Sequence, residues 1–164
     1  MIAYTEKGAA LHAAIAKAGH YLREENGVWV SSNDVAVQAI IDSYTLDQAK
    51  AHKANEVLAL AKQLRDKAVR AISTGEMASW PIKLAEAAKF AAGSTDCPML
   101  TAEATARGIT LAELVAKVGG NAQVFAGLEA VIGGTDGRHR DAIKALTTFD
   151  EVAGYDYSAG WPEV

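Results

Sequence analysis

Several groups of reactive side chains lie along the chain, and each can be held against the spacing its chemistry requires. His139-Arg140-Asp141 has the form of a kinase catalytic-loop triplet. That chemistry also needs a downstream asparagine, a glycine-rich phosphate loop and a longer chain, and all three are missing. The triplet therefore reads as solvated helix surface. Gly119-Gly120-Asn121 and Gly133-Gly134-Thr135-Asp136-Gly137 are rich in glycine, but neither is followed by the lysine and hydroxyl residue that hold phosphate and magnesium. They read as helix ends or packing points. The 4 histidines, His12, His20, His52 and His139, include no two at the three- or four-residue spacing by which one helix presents a metal-ligand pair. Cys97, the only cysteine, has no neighbouring cation to favour its thiolate. Glu24-Glu25 flanks a turn, whereas paired catalytic acids need opposed placement in a cleft. No catalytic residue, metal ligand or cofactor site emerges, and the expectation is a non-enzymatic protein.

Aromatic residues carry a different signal. Tyr155, Tyr157 and Trp161 lie in the closing segment GYDYSAGWPEV, where large rings either fold back onto the chain's own helices or meet a partner. Trp and Tyr contribute disproportionately to binding energy at protein interfaces. Together with Tyr21 and Trp29 of the N-terminal region, they form the candidate partner-binding set.

The elements that position these residues can be read from punctuation and periodicity. Residues 1–6 suit a short strand, and Gly8 to Lys17 places Leu11 and Ile15 at helical spacing before the Gly19 stop. Asn26-Gly27 between two extended runs predicts a β-hairpin. Ser32 is placed to cap a helix over Asn33 to Tyr44, with Val35, Ala39, Ile40 and Ile41 on its buried side. Thr45-Leu46-Asp47-Gln48 is a capping-box pattern opening a long helix to about Ile72. In it Val57, Ala61, Leu64, Ala68 and Ala71 recur at spacings of four and three. That seam serves either internal packing or self-association through residues 46–72. A helix from Ser73 to about Ala92 contains Pro81, which either kinks it or marks its first turn. Pro98 to Arg107 reads as a short helix ended by Gly108. Thr110 to Glu113 is a further capping box, followed by an apolar face from Leu114 to Ile132 that Gly119-Gly120 interrupts. Another helix includes His139 to Phe149, with Gly133-Gly134 and Gly137 as breaks.

The expected fold class is thus mainly α: a helical body with a small N-terminal β-α-β-β module containing a β-hairpin. Its segments are the module at 1–44, the body at 45–149 and an aromatic tail at 150–164. Composition agrees, since half of the 164 residues are apolar while only 7% are aromatic, and alanine-rich chains favour close helix packing. Residues 46–72 carry six basic and three acidic groups, against four acidic and no basic groups in 150–164. Nucleic acid is not expected as a partner, because net charge is −4 and the basic helix lacks interleaved aromatics. With no secretory signal pattern and no run of roughly 20 apolar residues, no membrane association is expected. A single cysteine fits a reducing compartment.

Three stretches carry a family resemblance: WVSSNDVAVQAIIDSYTLDQAKAHKANEVLALAKQLRDKAV, EMASWPIKLAEAAKF and ARGITLAELVAKVGGNAQVFAGLEAVIGGTDGRHRDAI. They resemble small proteins of bacteriophage and prophage tail modules, and the likeness touches most of residues 29–164. The resemblance implies a tail fibre assembly chaperone acting in the host cytoplasm, which binds the distal region of the fibre while it folds and trimerises. The N-terminal signature of the best-known chaperone family is missing from this sequence. The alternative is a structural tail, fibre or baseplate component retained in the virion tail.

Overall fold

Asn26 and Gly27 take φ values of 51° and 80°, the left-handed pair that a two-residue hairpin turn requires. The runs on either side, β1 (Leu22–Glu25) and β2 (Val28–Ser31), pair antiparallel, with Leu22 opposite Ser31 and Glu25 opposite Val28. The computed structural model describes residues 2–164. Among these residues the hairpin is the whole of the sheet. Helices account for the rest of the regular structure: α1 (Ala9–Lys17), α2 (Asp34–Ser43), α3 (Leu46–Ala68), α4 (Thr74–Ala91), α5 (Pro98–Arg107), α6 (Leu111–Ala145) and α7 (Phe149–Gly154). The chain is mainly α with a small β module near its N-terminus, as its periodicity implied.

Several local expectations are corrected. Residues 2–6 form no strand. The Gln38 side chain takes the place of a neighbouring strand there, accepting from Ala3 N at 2.8 Å and donating to Ala3 O at 3.2 Å. The cap of α2 is Asn33, not Ser32, and its carboxamide accepts from Ala36 N at 3.1 Å. Val35 stands 82% exposed and Ala39 is also exposed, while Val37 and Ile41 are buried one turn apart. Helix α3 opens on the expected Thr45–Gln48 box but ends at Ala68, where three-residue bonds such as Ile72 N to Val69 O at 2.9 Å take over. Val57 and Ala61 of its seam are buried within the chain, and Ala71 lies beyond the helix, exposed. Pro81 sits inside α4, well past the Ser73 cap, so it does not mark a first turn. The closing GYDYSAGWPEV is irregular beyond Gly154, as expected, while α7 just before it opens with a full capping box between Thr148 and Glu151.

The largest difference is α6. It begins at the Thr110–Glu113 box and continues for 35 residues through Gly119, Gly120, Gly133, Gly134 and Gly137, so none of these glycines breaks it. Each costs about 1 kcal/mol relative to alanine, which burial of other positions offsets. Leu114 and Ile132 are each 1% exposed and lie about five turns apart on one side of a continuous helix. Val124 and Val131, drawn from the same expected face, stand exposed.

Contacts divide the chain into two compact units: Met1–Lys62 with Gly134–Trp161, and Gln63–Gly133 with Pro162–Val164. The division cuts across the linear segments 1–44, 45–149 and 150–164. In the first unit, Leu11 and Ile15 of α1 pack with Leu22, Val37, Ile41 and Val152. Lys7 Nζ donates to the carbonyls of Ile41 at 2.6 Å and Tyr44 at 2.9 Å, serving the orphan acceptors at the end of α2. In the second unit the core is Ala87, Cys97, Leu100, Ala104 and Leu114. Arg65 there grips both carboxylate oxygens of Glu129, at 2.9 Å through Nε and 2.6 Å through Nη2, a forked pairing that fixes orientation as well as distance.

Helix α5 has no side-chain cap of its own at Cys97. Glu86 of α4 supplies one from outside: its carboxylate, in a residue only 6% exposed, accepts from Met99 N at 3.1 Å and Leu100 N at 2.8 Å. The Cys97 thiol donates to the Glu86 carbonyl at 3.2 Å. Glu86→Ala is expected to lower stability by about 2 kcal/mol, and Glu86→Gln by less. Urea unfolding should show a shifted midpoint at unchanged slope.

Candidate functional site

In the second unit, α4, α5 and α6 border a cleft of about 440 Å³. That volume falls within the range of binding sites for small ligands or anchoring side chains. Its walls are largely apolar. Trp80 and Phe125 meet edge to face with ring centroids 5.4 Å apart, and Leu84, Leu114 and Val118 continue the surface. Phe125 and Leu84 remain 39% and 43% exposed, so large apolar surface is presented without cover from the unit that carries it.

A chain of charges borders this surface. Lys83 Nζ lies 2.8 Å from Glu76 and 2.9 Å from Glu103, and Glu103 also pairs with Arg107 at 2.5 Å. Burial of Lys83 works against its charge, but the hydrogen bonds it donates to both carboxylates outweigh burial and hold the ammonium above the ordinary lysine value. The Glu76 carboxyl is pulled below the usual glutamate range, chiefly by its hydrogen bond to Lys83. Both carboxylates are thus engaged by cations. Cys97 is buried against a carbonyl. Among the described residues no group of three or more His, Cys, Asp or Glu side chains could hold a metal ion. No described helix is long and apolar enough to cross a membrane.

The aromatic residues singled out from the sequence lie elsewhere, in the first unit. Trp29 packs against Tyr4 with the rings tilted by 32° and centroids 4.0 Å apart, and His12 lies beside both. Burial, followed by the nearby Glu6, raises the Tyr4 hydroxyl to about 12. Tyr21 is exposed, with the Arg23 guanidinium 5.1 Å from its ring centroid. Tyr155 and Trp161 converge on His139. Nδ1 of that imidazole lies 2.8 Å from the Tyr155 hydroxyl, Nε2 donates to Ala159 O at 2.9 Å, and Trp161 stacks at 5.8 Å. The carbonyl can only accept, so Nε2 carries a proton. Trp161 Nε1 donates to Tyr157 O at 2.7 Å, and Lys53 sits 5.6 Å from the Tyr157 ring centroid. Thr135 and Arg138 bind the carbonyls of Gly160 and Ala159. The closing segment as far as Trp161 is therefore folded back onto its own unit.

This corrects the surface reading of the His139 triplet. Arg140 and Asp141 are exposed, but His139 is 5% exposed. The sequence reading also missed Trp80, Lys83, Glu86, Glu103 and Phe125. A partial signal was present in Glu103-Arg107 at one-turn spacing and Glu76-Lys83 at two. Nothing local, however, linked those pairs across separate helices. Set against known proteins, the chain matches no family model, no curated protein and no solved structure.

Two measurements bear on these sites. Trp161→Ala removes both the indole stack and its hydrogen bond, and should cost on the order of 1–2 kcal/mol, visible as a lower midpoint in thermal denaturation. Glu129, like Glu76, is held below the usual range, chiefly by hydrogen bonding to Arg65. A depressed folded value stabilises the native state above the unfolded value, and this contribution disappears as pH falls through the folded one. Thermal stability should therefore be flat near neutrality and decline below about pH 4, as circular dichroism at a series of pH values would show.

Proposed function

We propose that this chain is a non-enzymatic assembly chaperone of a phage tail fibre, acting in the host cytoplasm by covering an apolar segment of the fibre's distal region until its chains trimerise. The observation that carries this reading is the apolar cleft bounded by Trp80, Leu84 and Phe125, whose two carboxylates are already taken up by Lys83 and Arg107. Such a surface can bury a partner's side chains but offers no activated group for making or breaking bonds. The resemblance of residues 29–164 to tail-module proteins supplies the setting. A fibre tip exposes apolar surface before its strands meet and aggregates through it, and a groove between helices is a general receptor for such segments.

The five aromatic residues first proposed as contacts divide under this reading. Tyr21 stays available on the hairpin, whereas Trp29, Tyr155, Tyr157 and Trp161 contribute to the unit that holds them. The primary contact surface moves to the cleft.

Coexpression with the neighbouring fibre gene should raise the soluble, trimeric fraction of the fibre severalfold, and Phe125→Asp should abolish the gain while the purified variant keeps its helical circular dichroism. Mature particles should lack the protein on mass spectrometry. Fixed stoichiometry in particles would replace the chaperone with a structural tail component, and hydrolysis of a peptidoglycan or capsule panel would refute the non-enzymatic assignment.

A further inference from the structure

The charges around the cleft do not cancel. Its lining contains three cations, Lys83, Arg107 and Lys117, against two carboxylates, Glu76 and Glu103. Lys83 and Arg107 are the partners of those carboxylates, which leaves Lys117 as the excess positive charge. Among the described residues Lys117 makes no ion pair within 4.0 Å. Its nearest helical neighbour of opposite sign is Glu113, whose Oε2 is engaged by the backbone and hydroxyl of Thr110. The field between Glu113 and Lys117 is only a minor influence on that carboxyl, after the Thr110 bonds and burial.

One turn further along α6, Asn121 also lines the cleft, and its carboxamide has no hydrogen-bond partner among the described residues. An ammonium and an amide at this spacing lie on one side of a helix. Both can donate to a single anionic group, and the adjoining apolar wall can take whatever that group is attached to. From this arrangement we propose that the cleft selects a carboxylate joined to an apolar body: in the client-binding role on which this inference rests, a fibre segment with an acidic side chain next to its apolar anchor.

The selection is one of sign. A cationic group in the same place meets Lys117 directly and finds Glu76 and Glu103 already occupied. A neutral group gains the apolar wall but leaves the ammonium unmatched.

Octanoate, 1-octanol and octylammonium share one apolar tail and differ only in the head group. Each is titrated below its solubility or micellar limit into the full-length chain, with the indole N–H resonance of Trp80, assigned through Trp80→Phe, as the readout. Octanoate is expected to shift that resonance saturably and to bind about five- to tenfold more tightly than octanol. The advantage should shrink in 0.5 M salt, because exposed charges are screened at that strength. Octylammonium should bind weakest. Lys117→Gln should bring octanoate down to the affinity of octanol, with folding checked by far-ultraviolet circular dichroism. Equal binding of octanol, tighter binding of octylammonium, no shift of Trp80 with any of the three, or full octanoate affinity in Lys117→Gln would each overturn the proposal. These outcomes are independent of fibre solubility. A carboxylate-selective cleft with no effect in coexpression would retain the site and discard the chaperone. A chaperone whose cleft ignores head-group charge would retain the client and discard the selection.

Discussion

A carboxylate can be buried only where its lone pairs are filled, and Glu86 meets that condition at the opening of α5. The first amides of a helix have no partner within it, and Cys97, the residue at the cap position, has no side-chain oxygen to offer them. Glu86 reaches from the middle of α4 to accept from Met99 and Leu100, and its negative charge faces the positive end of the helix dipole. Two deficits cancel, the unsatisfied amides of one helix and the desolvated acid of another. That bond joins α4 to α5, and the cleft lies between these helices and α6.

The same logic governs the polar border of the cleft. Lys83 is tolerated at 6% exposure because Glu76 and Glu103 both receive its ammonium, and Arg107 takes the remaining demand of Glu103. Charges coupled in this way hold the cleft walls in register. Under the proposed function the apolar surface between them serves contact, and the unmatched Lys117 gives that contact a sign.

Local signals were legible where a short segment contains both partners of an interaction. Asn26-Gly27 set the hairpin turn, the Thr45–Gln48 and Thr110–Glu113 boxes started two helices, and Gly108 ended a third with φ 65°. Where a segment had two outcomes of similar local cost, the sequence left the choice open. Glycines in α6 permit a break without requiring one, and the continuous helix prevails because residues such as Leu114 and Ile132 become buried on it. The first six residues have strand-like composition, but residues 2–6 form no strand and the backbone of Ala3 pairs with the Gln38 side chain. His139 looked solvated because only Arg140 and Asp141 stood beside it in the chain, while the rings that cover it arrive from Tyr155 and Trp161.

By itself, then, the sequence determined the helical class, the hairpin and most caps, since these depend on neighbours within about one or two turns. Only the tertiary structure decided which residues surround the cleft, that Glu86 caps a helix other than its own, and that the closing aromatics fold back onto His139. Those outcomes depend on which distant segments share a neighbourhood, and burial then assigns each polar group either a partner or an energetic penalty that no single stretch of sequence contains.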